Sequence, residues 1–280
     1  MEKAERSTID IQFDDFPWWL VTIGLVILVT IILIINAPTF NEAFTTMVFG
    51  ITTTLSVTLI AYGISLVIGL IVGLGRISKN TFWKNLATFY IEIVRGIPML
   101  VLIFFIALVI IPGVVNGIGA LGEWMLAQGW NAVGEVFAGV NIRMVSMSAR
   151  AIVAMSITYG AFSAEIFRAG VQSVHPGQIE AAKSQGMSYA QSMRHVILPQ
   201  AIRNVLPAIG NDFIAMLKDS SLVSVLAVRD VTHIAKLYAG GSFRFTEAYT
   251  ILAVLYLSMT IFLSLLVKFI ERKISTDGES

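Results

Sequence analysis

The sequence predicts an all-α integral membrane protein with six transmembrane helices. Of its 280 residues, 56% are hydrophobic and only 13% are charged, and the mean hydropathy is +0.80. A globule of this length could not hide so much apolar surface from water. A hydrocarbon core about 30 Å thick is crossed by roughly 20 apolar residues in a helix. Six segments of the chain approach that length, so the chain belongs in a bilayer.

The six segments differ in strength. The last is the strongest, with twenty residues and no charge, whereas the third, fourth and fifth contain or adjoin charged residues. The first is not expected to be a cleavable signal peptide, because the charges before it are mixed and Asn36-Ala37-Pro38 makes a poor cleavage site. The predicted spans are 18–35, 49–75, 99–111 with a flank from Thr88, 151–167, 209–228 and 248–267.

The distribution of Lys and Arg predicts the orientation, because cytoplasmic loops are enriched in both. With the N-terminus inside, the inner segments hold thirteen of these residues and the outer segments five. Both termini and residues 180–200 are therefore expected in the cytoplasm. The net charge of +1 gives no reason to expect nucleic-acid binding. The absence of Cys excludes disulfides and thiolate metal sites, and the three His are too scattered to indicate a metal.

Residues 112–148 form a Gly-rich segment between the third and fourth spans. Its apolar pieces, 121–127 and 133–140, are too short to cross a membrane. They form either short helices on the outer membrane face or a plain outer loop, and the sequence leaves both open.

The polar stretch EAAKSQGMSYAQSMRHVILPQ, residues 180–200, stands out between apolar runs. Its pattern predicts a short helix at 178–185, then a turn at Gly186, where a positive φ costs nothing. Ser188 is a good N-cap for a second short helix to about residue 195, and Pro199 interrupts the helical pattern beyond it. Small and apolar side chains permit close approach of another surface. We interpret the segment as a docking element and call residues 176–200 the elbow.

The elbow resembles the EAA loop of bacterial ABC importer permeases. In that loop Glu-Ala-Ala is followed after three residues by Gly and, after nine more, by Ile-x-Leu-Pro. This chain has Glu180-Ala181-Ala182, Gly186 and then Val196-Ile197-Leu198-Pro199, with Val for Ile as the one departure. Residues 90–105, 158–182 and 213–226 are similar to the polar amino acid branch of these permeases. The resemblance covers most of residues 49–270.

The resemblance implies a type I ABC importer permease fold and a division of the chain into three parts. An N-terminal tail with an extra first span occupies 1–48, and a core of five spans occupies 49–272, with the EAA loop at about 170–205. A cytoplasmic tail follows at 273–280. The extra span and the longer outer loop at 112–148 depart from the family pattern.

The resemblance also implies a function and a set of partners. The chain is expected to be a non-catalytic subunit in a bacterial inner membrane that carries polar amino acids into the cytoplasm. A separate ATPase subunit would supply energy, an external or periplasmic solute-binding protein would deliver the amino acid, and a second permease chain, identical or different, would complete the path. No Gly-Lys pair of a phosphate-binding loop occurs here, so no cofactor is expected on this chain and ATP and Mg²⁺ belong to the partner. The residues implied to couple the two subunits are Glu180, Ala181, Ala182, Gly186, Leu198 and Pro199.

Charges within the spans indicate a pathway, because a lone charge near mid-bilayer costs about 2.5 to 3.5 kcal/mol and normally faces a cavity or a partner. Helical spacing places Asp212, Met216 and Asp219 on one face, with Lys218 on another. A mixed set of charges suits a zwitterionic amino acid. The alternative is that Lys218 and Asp219 pair with other spans and hold the dimer in register. The predicted pathway residues are Glu165, Asp212, Met216, Lys218, Asp219 and Ser220.

Two i, i+3 pairs near the inner ends of their spans, Glu165 with Arg168 and Glu92 with Arg95, are more typical of salt bridges than of a ligand site. An ion-gradient-driven secondary amino acid transporter is the alternative function. Such a protein is usually longer, has inverted repeats and needs no cytoplasmic elbow. A channel is disfavoured because the sequence has no short filter-like segment.

Overall fold

The computed structural model describes residues 18–276, and every regular element among them is helical. The predicted N-terminal tail up to residue 17 and the chain end at 277–280 lie outside the described residues. Two π-helical turns, Ile106–Ile110 and Met193–Ile197, and two 3₁₀ turns, Ile142–Met144 and Ser220–Leu226, connect some of the helices. The helices are α1 (Trp18–Asn36), α2 (Pro38–Met47), α3 (Gly50–Arg76), α4 (Thr81–Gly96), α5 (Met99–Phe105), α6 (Ile111–Ala127), α7 (Asn131–Ala138), α8 (Met147–Gln172), α9 (Pro176–Ser184), α10 (Tyr189–Ser192), α11 (Leu198–Asp219), α12 (Val231–Ser242) and α13 (Phe245–Thr276).

Four of the described helical segments are long and apolar enough to cross a membrane by length and composition. They contain the first, second, third and sixth predicted spans. The fourth and fifth predicted spans fall in α8 and α11, which have 26 and 22 residues and carry polar side chains among their apolar ones. The all-helical, multi-span fold class is confirmed, and six spans are compatible with it. The four segments are Trp18–Asn36, Pro38–Arg76, Met99–Ala127 and Phe245–Lys273.

The predicted interruption at Pro199 and the predicted end of the third span at Ile111, directly before Pro112, are both wrong for the same reason. The helix that starts at Met99 continues past Pro112 to Ala127, and the helix after the elbow continues past Pro199. A proline lacks the N–H that a helix needs, and its ring collides with the carbonyl four residues earlier. In both places that carbonyl belongs to a π-helical turn, which ends two residues before the proline. The widened turn accommodates the ring, so the helix continues.

This continuation changes two predicted boundaries. The apolar piece 121–127 is the end of the third span, and only 133–140 forms a separate short helix, α7. The fifth span was predicted at 209–228, but α11 already begins at Leu198 and ends at Asp219. The 3₁₀ turn after it contains Ser220, whose hydroxyl donates to the Leu217 carbonyl at 2.6 Å, a local bond that competes with the helical ladder.

The chain divides into two compact units, residues 49–234 with 259–276 and residues 18–48 with 235–258. In the second of these, Arg244 pairs with Glu42 at 2.5 Å, and the Tyr238 hydroxyl donates to the Thr39 carbonyl at 3.3 Å. The predicted domain boundaries at 48 and 272 stay predictions.

Close packing of α3 against α8 organises the larger unit. A Cβ added at Gly69 of α3 would lie 2.5 Å from the Ser163 Cβ of α8, and one at Gly160 would lie 2.7 Å from the Ile68 Cγ2 atom. Only glycine permits this approach, as is common where membrane helices pack through small residues. The two helices therefore hold their polar side chains at fixed positions beside α11.

Candidate functional site

A cluster of hydroxyl and carboxyl groups lies among α3, α8 and α11. The Tyr159 hydroxyl of α8 donates to an Asp219 oxygen at 2.7 Å, and the Ser163 hydroxyl donates to an Asp212 oxygen at 3.3 Å. The Tyr62 hydroxyl of α3 donates to the Ile209 carbonyl at 2.6 Å, one turn before Asp212. We call Tyr62, Tyr159, Ser163, Asp212 and Asp219 the polar cluster. It brings two carboxylates, both partly buried, to the side of α11 that faces α3 and α8.

The other predicted pathway residues of α11 and of the 3₁₀ turn after it divide between the inside and the outside of the unit. Met216 and Ser220 are fully buried, whereas Lys218 is exposed. Within residues 18–276, Lys218 forms no ion pair, and neither Asp212 nor Asp219 is paired with a cation. The cluster inside this chain therefore carries carboxylates and hydroxyls without a balancing ammonium or guanidinium.

Glu165 does not join the polar cluster. One of its oxygens pairs with Arg168 at 2.7 Å, which confirms the predicted i, i+3 salt bridge, and the other pairs with Arg76 at the end of α3. Arg168 also donates to Gln172 at 2.5 Å. These contacts hold the C-terminal ends of α3 and α8 together.

The predicted pair of Glu92 and Arg95 does not form. Glu92 instead pairs with Arg76, 3.4 Å away and sixteen residues earlier in the chain. Arg95 lies over the ring of Phe162, 5.8 Å from its centroid, a distance at which cation–π attraction operates. Both Glu92 and Arg95 therefore contact a side chain on another helix and do not contact each other.

The elbow has the predicted form of helix, glycine turn and helix. Gly186 has a φ of +75°. Its N–H donates to the Lys183 carbonyl at 2.9 Å, and the Met187 N–H donates to the Ala182 carbonyl at 3.1 Å. These two bonds form a Schellman motif, which satisfies the last carbonyls of α9 and requires a left-handed residue at Gly186. The turn is therefore fixed by a local hydrogen-bond pattern.

The second helix of the elbow begins with a capping box. The Ser188 hydroxyl accepts from the Gln191 N–H at 3.3 Å, and the Gln191 side-chain oxygen accepts from the Ser188 N–H at 2.9 Å. The reciprocal pair satisfies two of the N–H groups that a helix start leaves free. The predicted N-cap at Ser188 is confirmed.

The residues implied to couple the subunits occupy different environments. Glu180 and Ala181 are exposed, whereas Ala182 faces inward and is buried. A small buried cluster fastens the elbow to the end of α8 and the start of α11. Its members are Val174, Ile197 and Ala201, with Val171, Ile179 and Met193 packed against them. One face of α9 is thus fixed to the protein, and the other is open to a partner.

The elbow continues directly into the helix that carries the polar cluster. The Leu198 N–H donates to the Met193 carbonyl and closes the π-helical turn. Leu198 and Pro199 then form the first turn of α11, which runs without interruption to Asp219. The coupling residues Leu198 and Pro199 therefore lie on the same helix as the pathway residues Asp212, Met216, Lys218 and Asp219.

Sequence reasoning missed the hydroxyl partners of the two aspartates. Tyr159 and Ser163 are spaced i, i+4 on the fourth span, and Thr54, Thr58 and Tyr62 have the same spacing on the second. Side chains at this spacing share one helix face. The polar stripes on these two apolar spans were the signal in the sequence that could have predicted the hydroxyl partners. Within residues 18–276, no group of His, Asp and Glu has an arrangement that could hold a metal ion.

Comparison with known proteins agrees with this arrangement. A family profile described as "Binding-protein-dependent transport system inner membrane component" matches residues 65–276. The chain is 34% identical over 234 residues to the probable amino-acid permease protein YxeN of Bacillus subtilis (strain 168), covering 84% of this chain and 93% of YxeN. It is 32% identical over 227 residues to the glutamine transport system permease protein GlnP of Escherichia coli (strain K12), covering 81% and 92%.

A solved structure shares the fold. The chain superposes with a TM-score of 0.66 and 37% identity on a chain from the crystal structure of an amino acid ABC transporter with histidines, covering 82% of this chain and 94% of that one. The protein therefore belongs to the family of binding-protein-dependent transport system inner membrane components, the permeases of ABC importers. Its resemblance to the amino acid permeases of these systems is confirmed, and it is a multi-pass membrane protein.

Proposed function

We propose that this chain is the transmembrane subunit of an importer that carries polar amino acids into the bacterial cytoplasm. A separate ATPase subunit hydrolyses ATP with Mg²⁺, and this chain binds neither. A solute-binding protein delivers the amino acid at the outer face, and a second permease chain completes the path. The support comes from relatives named as an amino-acid permease and a glutamine permease, and from the amino acid ABC transporter whose fold this chain shares.

The observation that carries the proposal is the continuous helix from the elbow to the polar cluster. α10, the π-helical turn and α11 follow one another from Tyr189 to Asp219. At 1.5 Å per residue, such a segment is roughly 45 Å long. A displacement of the elbow by an ATPase would therefore move Asp212 and Asp219 relative to α3 and α8. This mechanical link is what an ATP-driven permease requires.

The polar cluster suits the ammonium group of an amino acid. Its carboxylates receive hydroxyl hydrogen bonds from Tyr159 and Ser163. Since an uncompensated charge in the membrane is costly, an ammonium group beside Asp212 or Asp219 is stabilised by the carboxylate that it contacts. Lys218 is exposed on the other side of α11, which fits contact with the second permease chain better than contact with the solute.

Liposomes that hold the full complex test the energy source. Enclosed ATP and Mg²⁺ with external binding protein should drive uptake of a labelled polar amino acid, and a sodium or proton gradient without ATP should not. Uptake driven by the gradient alone would instead support a secondary transporter. The isolated chain should bind no ATP. Stoichiometric nucleotide binding by this chain alone would overturn the division of labour.

Cysteine labelling tests the proposed inner-membrane topology with both termini in the cytoplasm. The chain contains no cysteine of its own. Cysteines placed singly at Ser188 and Gly240, which are both exposed, should react with an impermeant maleimide from opposite sides of the membrane. Reaction of both from outside intact cells would contradict the topology.

A further inference from the structure

A basic cavity lies where the α3–α4 turn, the end of α8 and the elbow meet. Its volume is about 720 Å³, and among the described residues no Asp or Glu lines it. The positive charge of its wall disfavours a cation as the ligand. The cationic side chains in its wall are Arg76, Lys79, Lys84, Arg168 and Lys183.

Two of these five cations already have a partner. Arg76 and Arg168 both pair with Glu165. Lys79, Lys84 and Lys183 are exposed, and none of them forms an ion pair within residues 18–276. The basic cavity therefore keeps a positive charge that residues 18–276 do not balance. Clusters of Lys and Arg at the membrane surface are typical recognition sites for anionic headgroups.

An apolar groove of about 150 Å³ adjoins the basic cavity. It lies among α3, α8 and α11, and Val171 lines both spaces. A third cavity, of about 690 Å³, also joins them, because Leu74 is shared with the groove and Met193 with the basic cavity. The groove walls include Leu70, Leu74, Phe167, Val171, Ile202 and Val205.

The start of α4 beside the cavity has the features of a membrane-interface segment. Phe82 and Trp83 are exposed, with 66% and 55% of their surface accessible, and Lys84 follows them directly. Aromatic side chains are enriched at the headgroup level, where the ring is partly apolar and partly wet. Their position indicates that the basic cavity opens at the depth of lipid headgroups.

We propose that the basic cavity and the apolar groove together bind one anionic phospholipid of the inner leaflet. The headgroup phosphate lies among Lys79, Lys84 and Lys183, and part of an acyl chain lies in the groove. An acidic segment of the ATPase would match the positive charge of the basic cavity, but it would leave the apolar groove unfilled. The choice of leaflet rests on the proposed function, because that function places the elbow in the cytoplasm.

The site gives the lipid a route to the coupling machinery. Lys183 belongs to the elbow, and Lys79 belongs to the α3–α4 turn. A phosphate held by both would fasten the elbow to the membrane-spanning core. The resting position of the elbow then depends on the anionic lipid content of the membrane.

Native mass spectrometry of the purified complex, with phosphatidylglycerol or phosphatidylcholine added, tests the proposal. The wild type should retain one phosphatidylglycerol per permease chain and prefer it to phosphatidylcholine. The variant Lys79→Gln/Lys84→Gln should bind phosphatidylglycerol roughly 10- to 30-fold more weakly, since each surface lysine contributes a few-fold to binding of anionic lipid. Lys183 is left intact because it lies in the elbow.

The matched control is Lys268→Gln/Lys273→Gln, two exposed lysines near the end of α13 that do not line the cavity. This variant loses the same charge and should bind like the wild type. Equal losses in both double variants would show general attraction to charge and overturn the site. Wild-type phosphatidylglycerol binding in Lys79→Gln/Lys84→Gln would overturn it as well.

Two further experiments distinguish a bound phospholipid from a free phosphate and from the ATPase subunit. Leu70→Trp, at a residue that is 40% exposed, should fill the groove and release the lipid, and 10-fold excess glycerol phosphate should not compete. Displacement by glycerol phosphate would assign the cavity to a free phosphate. Loss of the ATPase subunit from Lys79→Gln/Lys84→Gln without loss of lipid would assign it to the ATPase. These binding measurements are independent of transport, so their failure leaves the proposed function standing.

Discussion

Replacement of Gly186 tests whether the turn of the elbow transmits force to the spans. The residue has a φ of +75°, and a Cβ added there would meet no atom within 4 Å. The cost of a larger side chain is therefore conformational, without any collision. For most L-residues the left-handed region costs about 1 to 2 kcal/mol, and β-branched residues are the least tolerant. Asn visits this region readily, so Gly186→Asn is the matched control for Gly186→Val.

The size of the effect follows from the motif at the turn. A penalty of about 1 to 2 kcal/mol shifts the equilibrium between the native and an open elbow by roughly 5- to 30-fold. The Schellman motif has two hydrogen bonds, each worth about 1 kcal/mol net. The conformational penalty is therefore comparable to the free energy of the two hydrogen bonds that close the turn. Gly186→Val should consequently populate conformations of the elbow in which its helices are misplaced.

ATPase activity in reconstituted complexes measures the consequence. In the wild type and in Gly186→Asn, loaded binding protein should stimulate hydrolysis. In Gly186→Val the stimulation should fall several-fold, and a pull-down should show weaker association of the ATPase. Membrane insertion should be unchanged, because the spans lie far from this turn. Wild-type stimulation and uptake in Gly186→Val would show that the elbow is only a loop.

Two other predictions concern the polar cluster and its scaffold. Asp219→Asn should reduce amino acid uptake about tenfold or more if the carboxylate meets the solute. Tyr159→Phe keeps the charge and loses only one hydrogen bond to it, so it should reduce uptake less. Unchanged uptake in both variants removes the fifth span from the pathway. Gly69→Leu should lower the Tm of the complex, because the added Cβ would lie 2.5 Å from the Ser163 Cβ and α3 must move away from α8, at a cost of about 1 to 3 kcal/mol. Gly63→Leu is the control, since nothing lies within 4 Å of a Cβ there, and equal Tm values in the two variants would contradict the close packing.

The elbow could be predicted from the sequence because its determinants are local. A positive φ at Gly186 and the pair Ser188 and Gln191 act within a few residues of where they occur. Local rules of capping and turn chemistry apply whatever the rest of the fold does. The resemblance to the EAA loop added a function to a shape that the residues already specified.

The prolines misled the sequence analysis because their effect depends on the backbone before them. A proline collides with the carbonyl four residues before it, so whether it ends, kinks or spares a helix depends on the geometry of that turn. Before Pro112 and Pro199 the chain instead widens into a π-helical turn. No residue type marks such a turn, so both helices were predicted to be too short.

Ion-pair partners could not be predicted where tertiary contacts decide them. Glu165 and Arg168 pair as their spacing predicts, but Glu92 pairs with Arg76 and not with Arg95. Tyr159 and Asp219 are sixty residues apart, and only the packing of α8 against α11 brings them together. Sequence spacing predicts only partners within one helix, whereas the packing of a second helix decides which partner is actually in contact.

The helical segment from the elbow to Asp219 contains a second proline after Pro199, and its position bears on how force passes along the segment. Pro207 lies in the interior of α11 and has no N–H to donate to the carbonyl of Arg203, so one hydrogen bond of the helix is missing there. The elbow lies before this point, and Asp212 and Asp219 lie after it.

A rigid rod would transmit every movement of the elbow to the polar cluster in full. A rod with one weakened turn transmits displacement along its axis but absorbs part of a sideways tilt. If an ATPase drives the elbow as proposed above, the arrangement favours movement along α11, in which the carboxylates slide past the hydroxyl groups of α3 and α8.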